Sequence, residues 1–411
     1  MVSFLDLGIA LQRVMLVILI ASLAVATIFS LIDYTKKRKS NWKPLISFIM
    51  PTYKDSESIE KTIKSIYSSY DSKSFEIFII NDNHHDSPEN KETISVLNRL
   101  SKKYKFNVIT NPKNLGKAAS INRAFKKTHG DIISIIDSDC IISKDGVNDV
   151  IARFDENKKL GAVSLRYKVA NRKGFLPLMQ TIEYNMLSLM QTVYNMNSNL
   201  FLWGGFMAFR REALYDLEGF STYCLTEDLD AALRLNKLGW EVKQSYYPNQ
   251  TVVPDTWHSL YKQKLRWSGG GMQGFMKYYK IYLKEPAVII FMVSYVFFLL
   301  NFIISLAGAV NIADLSYQII KLPTTTLHNF WEPLMPLWLF IYAQLKNISV
   351  YFLFTIPYII FDDKDRYNIK SYLLLVPFTL IYFPAYSVIN AIGFVKAIYH
   401  RKDYFAEKRA W

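Results

Sequence analysis

Apolar and polar positions along this chain follow two regimes, long apolar runs near both ends and short periodic ones between them. An uncharged stretch of 19 residues runs from Val14 to Ile32, and Lys36, Lys37, Arg38, Lys39 and Lys43 follow it. That pattern predicts a transmembrane helix whose C-terminal end faces the cytoplasm. Ala24 and Ala26 are spaced like a signal-peptide cleavage site, but the charges lie on the wrong side of the run and apolar residues continue past the alanines. Further long apolar runs cover 287–310, 334–361 and 371–399, the first followed by a polar stretch with Asp314, Lys321 and Thr324 to Thr326. Between Ile32 and Ala287 no run is long enough to span, so roughly 250 residues are expected to form one cytoplasmic domain.

Within that domain the periods change. Leu45 to Met50 is a short apolar run ended by Pro51, after which Ile59, Ile63, Ile66, Tyr67 and Tyr70 recur at helical spacing. Phe75 to Ile80 and Phe106 to Thr110 read as strands, Ala118 to Lys127 as a helix, and Asp131 to Ile136 as a strand ending at Asp137-Ser138-Asp139. Such alternation predicts a parallel α/β sheet, in which ligands bind outside the carboxyl ends of the strands. Tyr53, Asp82, Asp137 and Asp139 all follow strand ends and are expected on that edge. Leu176 to Met196 carries Leu176, Met179, Ile182, Met186, Leu189, Met190 and Val193 on one helical stripe. It reads either as core or as an amphipathic helix lying in a membrane interface.

Composition narrows the class. The 411 residues are 51% hydrophobic and 20% charged, which excludes a disordered or fibrous chain and suits a membrane-anchored globular domain. Cys140 and Cys224 are the two cysteines, so neither a disulfide framework nor a zinc site is indicated. The net charge of +14 is compatible with nucleic acid, anionic lipid or a phosphorylated substrate. Many basic residues cluster at the predicted membrane boundaries, where anionic lipid explains them, so no nucleic-acid partner is expected. Crossing at each C-terminal run would leave the tail outside, whereas Lys396, Arg401, Lys402, Lys408 and Arg409 favour the inside. A re-entrant pair broken at Lys346, or a last segment bent at Pro377 and Pro384, would reconcile the two.

Three polar motifs carry chemistry. Asp137-Ser138-Asp139 sets two carboxylates on one side of an extended segment, suited to a hard divalent cation bridging phosphate oxygens; the plain alternative is a solvated turn. Thr226-Glu227-Asp228 opens a helix, either as an N-cap with acidic first turn or with Asp228 as a general base. Gln263-Lys264-Leu265-Arg266-Trp267 lies on a helix candidate with Gln263 and Trp267 on one face beside Arg266. Arg supplies bidentate donors to a diphosphate and Trp a platform for a sugar ring, while both also serve as interface anchors.

Taken in order, Pro51-Thr52-Tyr53, Asn81-Asp82, Asn114-Leu115-Gly116-Lys117, Asp137-Ser138-Asp139, Thr226-Glu227-Asp228 and Gln263-x-x-Arg266-Trp267 give the chain a resemblance over roughly residues 45 to 280. It resembles the membrane-embedded processive family 2 glycosyltransferases, the group of cellulose, chitin, hyaluronan and poly-N-acetylglucosamine synthases. Gln180-Thr181-Ile182-Glu183-Tyr184 and Val253-Pro254-Asp255-Thr256 look most like the poly-N-acetylglucosamine synthases. The resemblance implies an α/β GT-A (Rossmann-like) cytoplasmic domain over 41–280, with amphipathic interface helices. A transmembrane helix and basic flank would occupy 1–40, and α-helical transmembrane segments with a basic tail 281–411. It implies a multi-pass protein of the cell membrane, a nucleotide-sugar donor, a polysaccharide or glycolipid acceptor, and Mg²⁺ or Mn²⁺ as cofactor.

By the same resemblance Thr52, Tyr53, Asp55, Asp82 and Lys117 would serve the nucleotide, and Asp137 and Asp139 the ribose and the metal. Gln263 and Arg266 would clamp the diphosphate, Trp267 would stack on the acceptor sugar with Trp203-Gly204-Gly205 as the floor beneath it, and Gly205 and Glu227 would be substrate-binding. Asp228 would deprotonate the acceptor, inverting the anomeric configuration. The sequence departs from the family with Lys54-Asp55 in place of Asn-Glu and Asp82-Asn83-His84 in place of Asp-Gly-Ser, which bears on base and sugar preference. His84 and His85 read as solvent-facing. Single transfer to a polyprenyl phosphate or glycolipid is the other enzymatic reading, and a scaffold subunit would leave Asp139 and Asp228 without a role.

Overall fold

The computed structural model describes residues 36–195, 198, 200–284 and 373–405, together with Val14, Val17, Ile18, Ala21, Ala24, Val25, Ile28, Phe29 and 31–33 of an N-terminal helix. The chain divides into two compact units, one of Met1–Thr27 with Glu285–Val388, the other of Ile28–Lys284 with Ile389–Trp411.

The second unit is built on a seven-stranded sheet in the order β3-β2-β1-β4-β6-β5-β7. Its strands are β1 (Ile46–Thr52), β2 (Phe75–Asn81), β3 (Asn107–Thr110), β4 (Ile132–Ile136), β5 (Leu160–Val169), β6 (Phe206–Arg210) and β7 (Glu241–Thr251). The first four pair in parallel, as the alternation predicts, but β6 runs antiparallel to both β4 and β5, so the sheet is mixed rather than parallel. The alternation read from the sequence stops at β4, and the reversal lies beyond it. Strand β7 returns parallel to β5.

Apolar runs without polar alternation form strands buried on both faces. Phe48, Met50, Ile77 and Ile79 lie in one core with Ile59, Ile63 and Ile66 of α1 (Ile59–Ser69), and Val147, Val150 and Phe154 of α4 (Lys144–Glu156). Ile49, Phe78, Ile80, Ile133 and Ile135 lie in the other core, against Ile121 and Ala124 of α3 (Lys117–Phe125) and Ala231, Ala232 and Leu235 of α7 (Glu227–Lys237). Between β2 and β3 stands α2 (Pro88–Ser101), where Ser87 caps the Asn90 amide and Pro88 takes a first-turn position that needs no N–H donor.

Two further helices frame the site. Helix α5 (Phe175–Tyr194) buries Leu176, Met179 and Ile182, but also Gln180, Glu183, Asn185 and Gln191. Its polar side faces protein, which departs from an amphipathic helix with a solvated face. Gln180 donates to Pro254 O at 2.7 Å and Trp203 donates to Gln191. After the short α6 (Arg211–Asp216) and α7 comes α8 (Trp257–Tyr282), capped by Thr256.

Among the described residues one helix is long and apolar enough to cross a membrane, α9 (Leu375–Tyr399), with 25 residues and mean hydropathy 1.6. At 1.5 Å per residue it extends about 37 Å, more than a bilayer's hydrocarbon core. Between Pro377 and Pro384 the helix takes a π-helical turn over Phe378–Tyr382. The run from Val14 to Ile32 is helical at its described positions, with Val14, Val17, Ile28 and Ile32 exposed. The runs 287–310 and 334–361, with Lys346, lie outside the described residues.

Candidate active site

Parallel register puts the ends of β1, β2 and β3 level, with Thr52 beside Asn81 and Asn81 beside Thr110. Thr52 is buried and its hydroxyl has no protein partner. Tyr53 is 50% exposed at the rim. Lys54 adopts a left-handed φ of 55°, and its amide donates to Asn83 Oδ1 at 2.8 Å. Asn83 thus fills with a useful acceptor the place where a small turn residue was expected, and His84 and His85 are exposed.

Asp82 is buried, and its carboxylate accepts from the Leu115 amide at 2.8 Å, the Gly116 amide at 2.9 Å and Asn111 Nδ2 at 2.7 Å. Its visible work is to fold the loop before α3. Gly116, at φ 87°, lets that loop turn directly into the helix, whose first residue is Lys117.

Lys117 is the hub of the site. Its ammonium lies 2.7 Å from Asp137 Oδ1, 3.2 Å from Glu227 Oε1 and 3.1 Å from Gly204 O. Burial opposes its charge, but the carboxylates outweigh that and hold its pKa above the ordinary lysine value. Glu227, buried, is held below the ordinary carboxylate range because Lys117 and Arg266 overcome the effect of burial.

Asp228 lies in the first turn of α7, and its Oδ1 accepts from the Leu229 amide at 2.8 Å. The other oxygen points at Gly204, where a Cβ would fall 2.7 Å from it. Burial and the Glu227 charge push Asp228 up to about 6, with Lys117 and Arg266 pulling against them. Thr226 occupies the N-cap without a side-chain cap bond, so capping does not account for the motif.

Asp139 accepts from Thr251 Oγ1 at 3.1 Å, and Asp55 accepts from Ser138 Oγ at 2.6 Å. Burial, then the charges of Asp137 and Asp55, push Asp139 up to about 6. A divalent cation relieves that kind of crowding, so the donor set fits one. Among the described residues no group of three or more His, Cys, Asp or Glu forms a metal cluster, leaving the remaining ligands to phosphate oxygens and water. Gly205 closes this side: its amide donates to Tyr167 Oη at 2.5 Å and its carbonyl accepts from the Asp137 amide at 3.0 Å.

Helix α8 is stitched to the acidic segment. Arg266 donates to Leu225 O at 3.1 Å, and Gln273 accepts from the Leu225 amide at 3.1 Å. A Cβ on Gly270 would fall 2.2 Å from Thr226 Oγ1. Gln263 Oε1 is buried with no protein partner. Trp267 joins an aromatic cluster with Tyr167, Tyr184 and Trp203, stacked on Tyr184 at 6.1 Å between ring centroids.

Lys117, Asp137, Gly205, Glu227 and Asp228 therefore come together, with Asp55 and Asp139 beside Asp137 and Arg266 close enough to act on Glu227 and Asp228. Tyr53 stands at the rim, and Asp82 lies beneath the loop. The sequence reading passed over Lys264, which is fully buried, pairs with Glu183 at 2.7 Å and sits 4.1 Å from the Trp267 ring centroid. Burial pulls its ammonium pKa down while Glu183 opposes it. Glu183, the lone charged residue in the apolar-patterned α5, is the signal that marks the pair.

The site is thus a mixed sheet with carboxylates at its strand ends and a partly buried lysine among them. The fold is shared with a mannosyltransferase of Pyrobaculum calidifontis solved with GDP-Man and Mn²⁺, at a TM-score of 0.56 and 16% identity over 94% of this chain and 98% of that one. Residues 47–218 match the model of glycosyl transferase family 2. Among curated relatives, a poly-β-1,6-N-acetyl-D-glucosamine synthase of Staphylococcus epidermidis is 26% identical over 375 residues, 88% of this chain and 85% of its own. The synthase of the same description from Staphylococcus aureus is 30% identical over 240 residues, 56% of each chain. Residues 47–218 thus carry a family 2 glycosyltransferase domain.

Proposed function

We propose that the protein is an inverting, membrane-embedded polysaccharide synthase. It takes sugar from a nucleotide-sugar donor, with UDP-GlcNAc favoured, adds it to a growing β-linked chain and passes that chain across the membrane. The observation that carries the chemistry is Asp228, pushed up to about 6 and aimed at Gly204. At neutral pH such a carboxylate is ionised yet basic enough to take a proton. The preference for N-acetylglucosamine and for polymerisation is supported by the relatives' descriptions, matched over most of the chain.

In this reading the acceptor hydroxyl gives its proton to Asp228 as its oxygen attacks the anomeric carbon. The bond from that carbon to the diphosphate oxygen breaks on the opposite side, and the nucleoside diphosphate leaves with the electron pair. Arg266 and Gln263 receive the diphosphate, Lys117 neutralises Asp137 and Glu227 beside it, and Trp267 offers its face to the acceptor sugar. Thr52, Tyr53 and Asp55 line the nucleotide end, and Asp82 acts there through the loop it holds. Asp137 and Asp139 would hold Mg²⁺ or Mn²⁺, which supplies charge neutralisation at the diphosphate when bound. The domain stands on the cytoplasmic face, with apolar segments at both ends in the bilayer.

The test is nucleotide release and product size from purified, detergent-solubilised protein given a panel of UDP- and GDP-sugars with Mg²⁺ or Mn²⁺. Long product from one donor, lost in Asp228→Asn, is the expected result. Release only with an added polyprenyl phosphate or glycolipid, and a product one sugar larger, refutes polymerisation and makes the enzyme a single-transfer one.

A further inference from the structure

The last described turn, α10 (Arg401–Phe405), packs on the same unit that holds the sheet. Tyr404 is 2% exposed, and its ring lies 5.9 Å from that of Tyr223 between centroids. Lys277 of α8 completes the contact. Its ammonium donates to Tyr223 Oη at 2.7 Å and lies 4.9 Å, 5.4 Å and 5.8 Å from the ring centroids of Tyr223, Tyr278 and Tyr404. Three tyrosine rings thus gather around one ammonium, Tyr223 through its hydroxyl and Tyr278 and Tyr404 within reach of their ring quadrupoles.

This cluster sits on the segment that delivers Asp228. Tyr278 Oη donates to Asp230 at 3.1 Å, and Asp230 accepts from Ser221 Oγ at 2.5 Å. Tyr223 is five positions before Asp228, and the Leu225 between them is held by Arg266 and Gln273. The end of α9 makes a second approach: a Cβ on Gly393 would fall 1.9 Å from Ser268 Oγ and 3.1 Å from Leu265 O, beside Arg266 and Trp267. Only glycine allows the two helices to meet there.

We infer that Tyr404 is a positioning residue for Asp228, and that the C-terminal turn stands on the catalytic domain's side of the membrane. Tyr404 fixes Lys277 and Tyr223, and through them the segment 223–228, so the base keeps its place relative to the diphosphate clamp on α8. Two rings in contact cannot have a bilayer between them. This rests on the reading of the chain as membrane-inserted, and it settles the sidedness that hydropathy left in conflict with the charges of the tail.

Two measurements on the full chain test it. In right-side-out vesicles an impermeant maleimide is expected to leave exposed Lys402→Cys unmodified until the membrane is permeabilised, with the unsubstituted protein giving the background from Cys140 and Cys224. Modification before permeabilisation overturns the inference. In the turnover assay Tyr404→Ala is expected to lower kcat roughly tenfold, as a misplaced reacting group does, with KM for the donor within about twofold. Tyr404→Phe, which keeps the ring, is expected to restore kcat, and Tyr404→Ala with Lys277→Met to be no worse than the poorer single variant. Unchanged kcat in Tyr404→Ala, or Tyr404→Phe as poor as Tyr404→Ala, refutes the positioning role. Absence of turnover in the unsubstituted protein with every donor would refute the proposed function instead, and the labelling result would still decide the side of the tail.

Discussion

The acid limb of the pH–rate profile tests the assignment of Asp228 most sharply. A base pushed up to about 6 is about nine-tenths ionised at pH 7 and about one-tenth at pH 5, so kcat/KM should fall about tenfold between them. An aspartate at its ordinary value would lose less than about a tenth over the same interval. Asp139 is also pushed up to about 6, and Glu227→Gln separates the two. Glu227 is among the charges that raise Asp228, whereas Asp139 is raised by burial, Asp137 and Asp55. The substitution should therefore move the limb of Asp228 to lower pH by up to about one unit and leave a limb due to Asp139 where it stands. A Mg²⁺ ion held by Asp137 and Asp139, as proposed, would keep Asp139 ionised throughout. The assay is nucleotide release from pH 4.5 to 8, and a limb that stays near pH 6 in Glu227→Gln refutes Asp228 as the base. Stability carries the opposite sign. A carboxyl whose folded pKa is raised contributes fully below its unfolded value and loses that contribution as pH rises through 6. The ionised group thus costs stability at pH 7, and Asp228→Asn should unfold about 1–2 kcal/mol harder while losing turnover, a figure discounted from the full shift because the side chain is half-buried.

Other perturbations follow from single contacts. Gly270→Ala must push its methyl into Thr226 and should cost about 2–3 kcal/mol, whereas Gly271→Ala, with nothing within 4 Å, should gain up to about 1 kcal/mol of helix propensity in thermal unfolding. Lys264→Met removes the buried cation 2.7 Å from Glu183 and should destabilise by about 3–5 kcal/mol, largely recovered when Glu183→Leu is added; a double variant as poor as the sum refutes the pairing. Asp82→Asn should weaken the loop by about 2 kcal/mol and speed hydrogen exchange at Leu115 and Gly116, while unchanged exchange would return Asp82 to a direct role in base binding.

The first half of the sheet could be read from hydrophobic periods because β1, β2 and β4 are short apolar runs ended by Pro51, Asn81 and Asp137. Helix α2 escaped that reading because its sequence, PENKETISVLNRLS, buries only Asn90, Thr93, Leu97 and Leu100 and so carries a weak stripe. Ser87-Pro88 was its better signal. The direction of β6 has no signature in its short apolar run FMAFR, since pairing direction is decided by neighbours. The site residues were recognisable as motifs, but their division of labour was not. Nothing in Asn81-Asp82 says that the carboxylate turns inward to three N–H donors, and nothing in Gln263-Lys264 says that the lysine is buried while the glutamine oxygen beside it has no protein partner.

The reversal at β6 is what completes the site. In a wholly parallel sheet only segments that follow strands reach the carboxyl edge, and those that precede strands lie at the far edge. Because β6 runs the other way, Phe206 pairs with Ile136, and the residues before β6, Trp203-Gly204-Gly205, meet those after β4 at Asp137. The Gly205 carbonyl takes the Asp137 amide and the Gly204 carbonyl takes Lys117. Strand β5 reverses again and β7 follows it, so Thr251 at the end of β7 reaches Asp139 on the same edge. Asp228 faces a glycine there because any larger residue at 204 would displace the carboxylate. The antiparallel strand and the glycine pair thus make one device, which brings Trp203-Gly204-Gly205, the anchor of Lys117 and the space for Asp228 to a single edge.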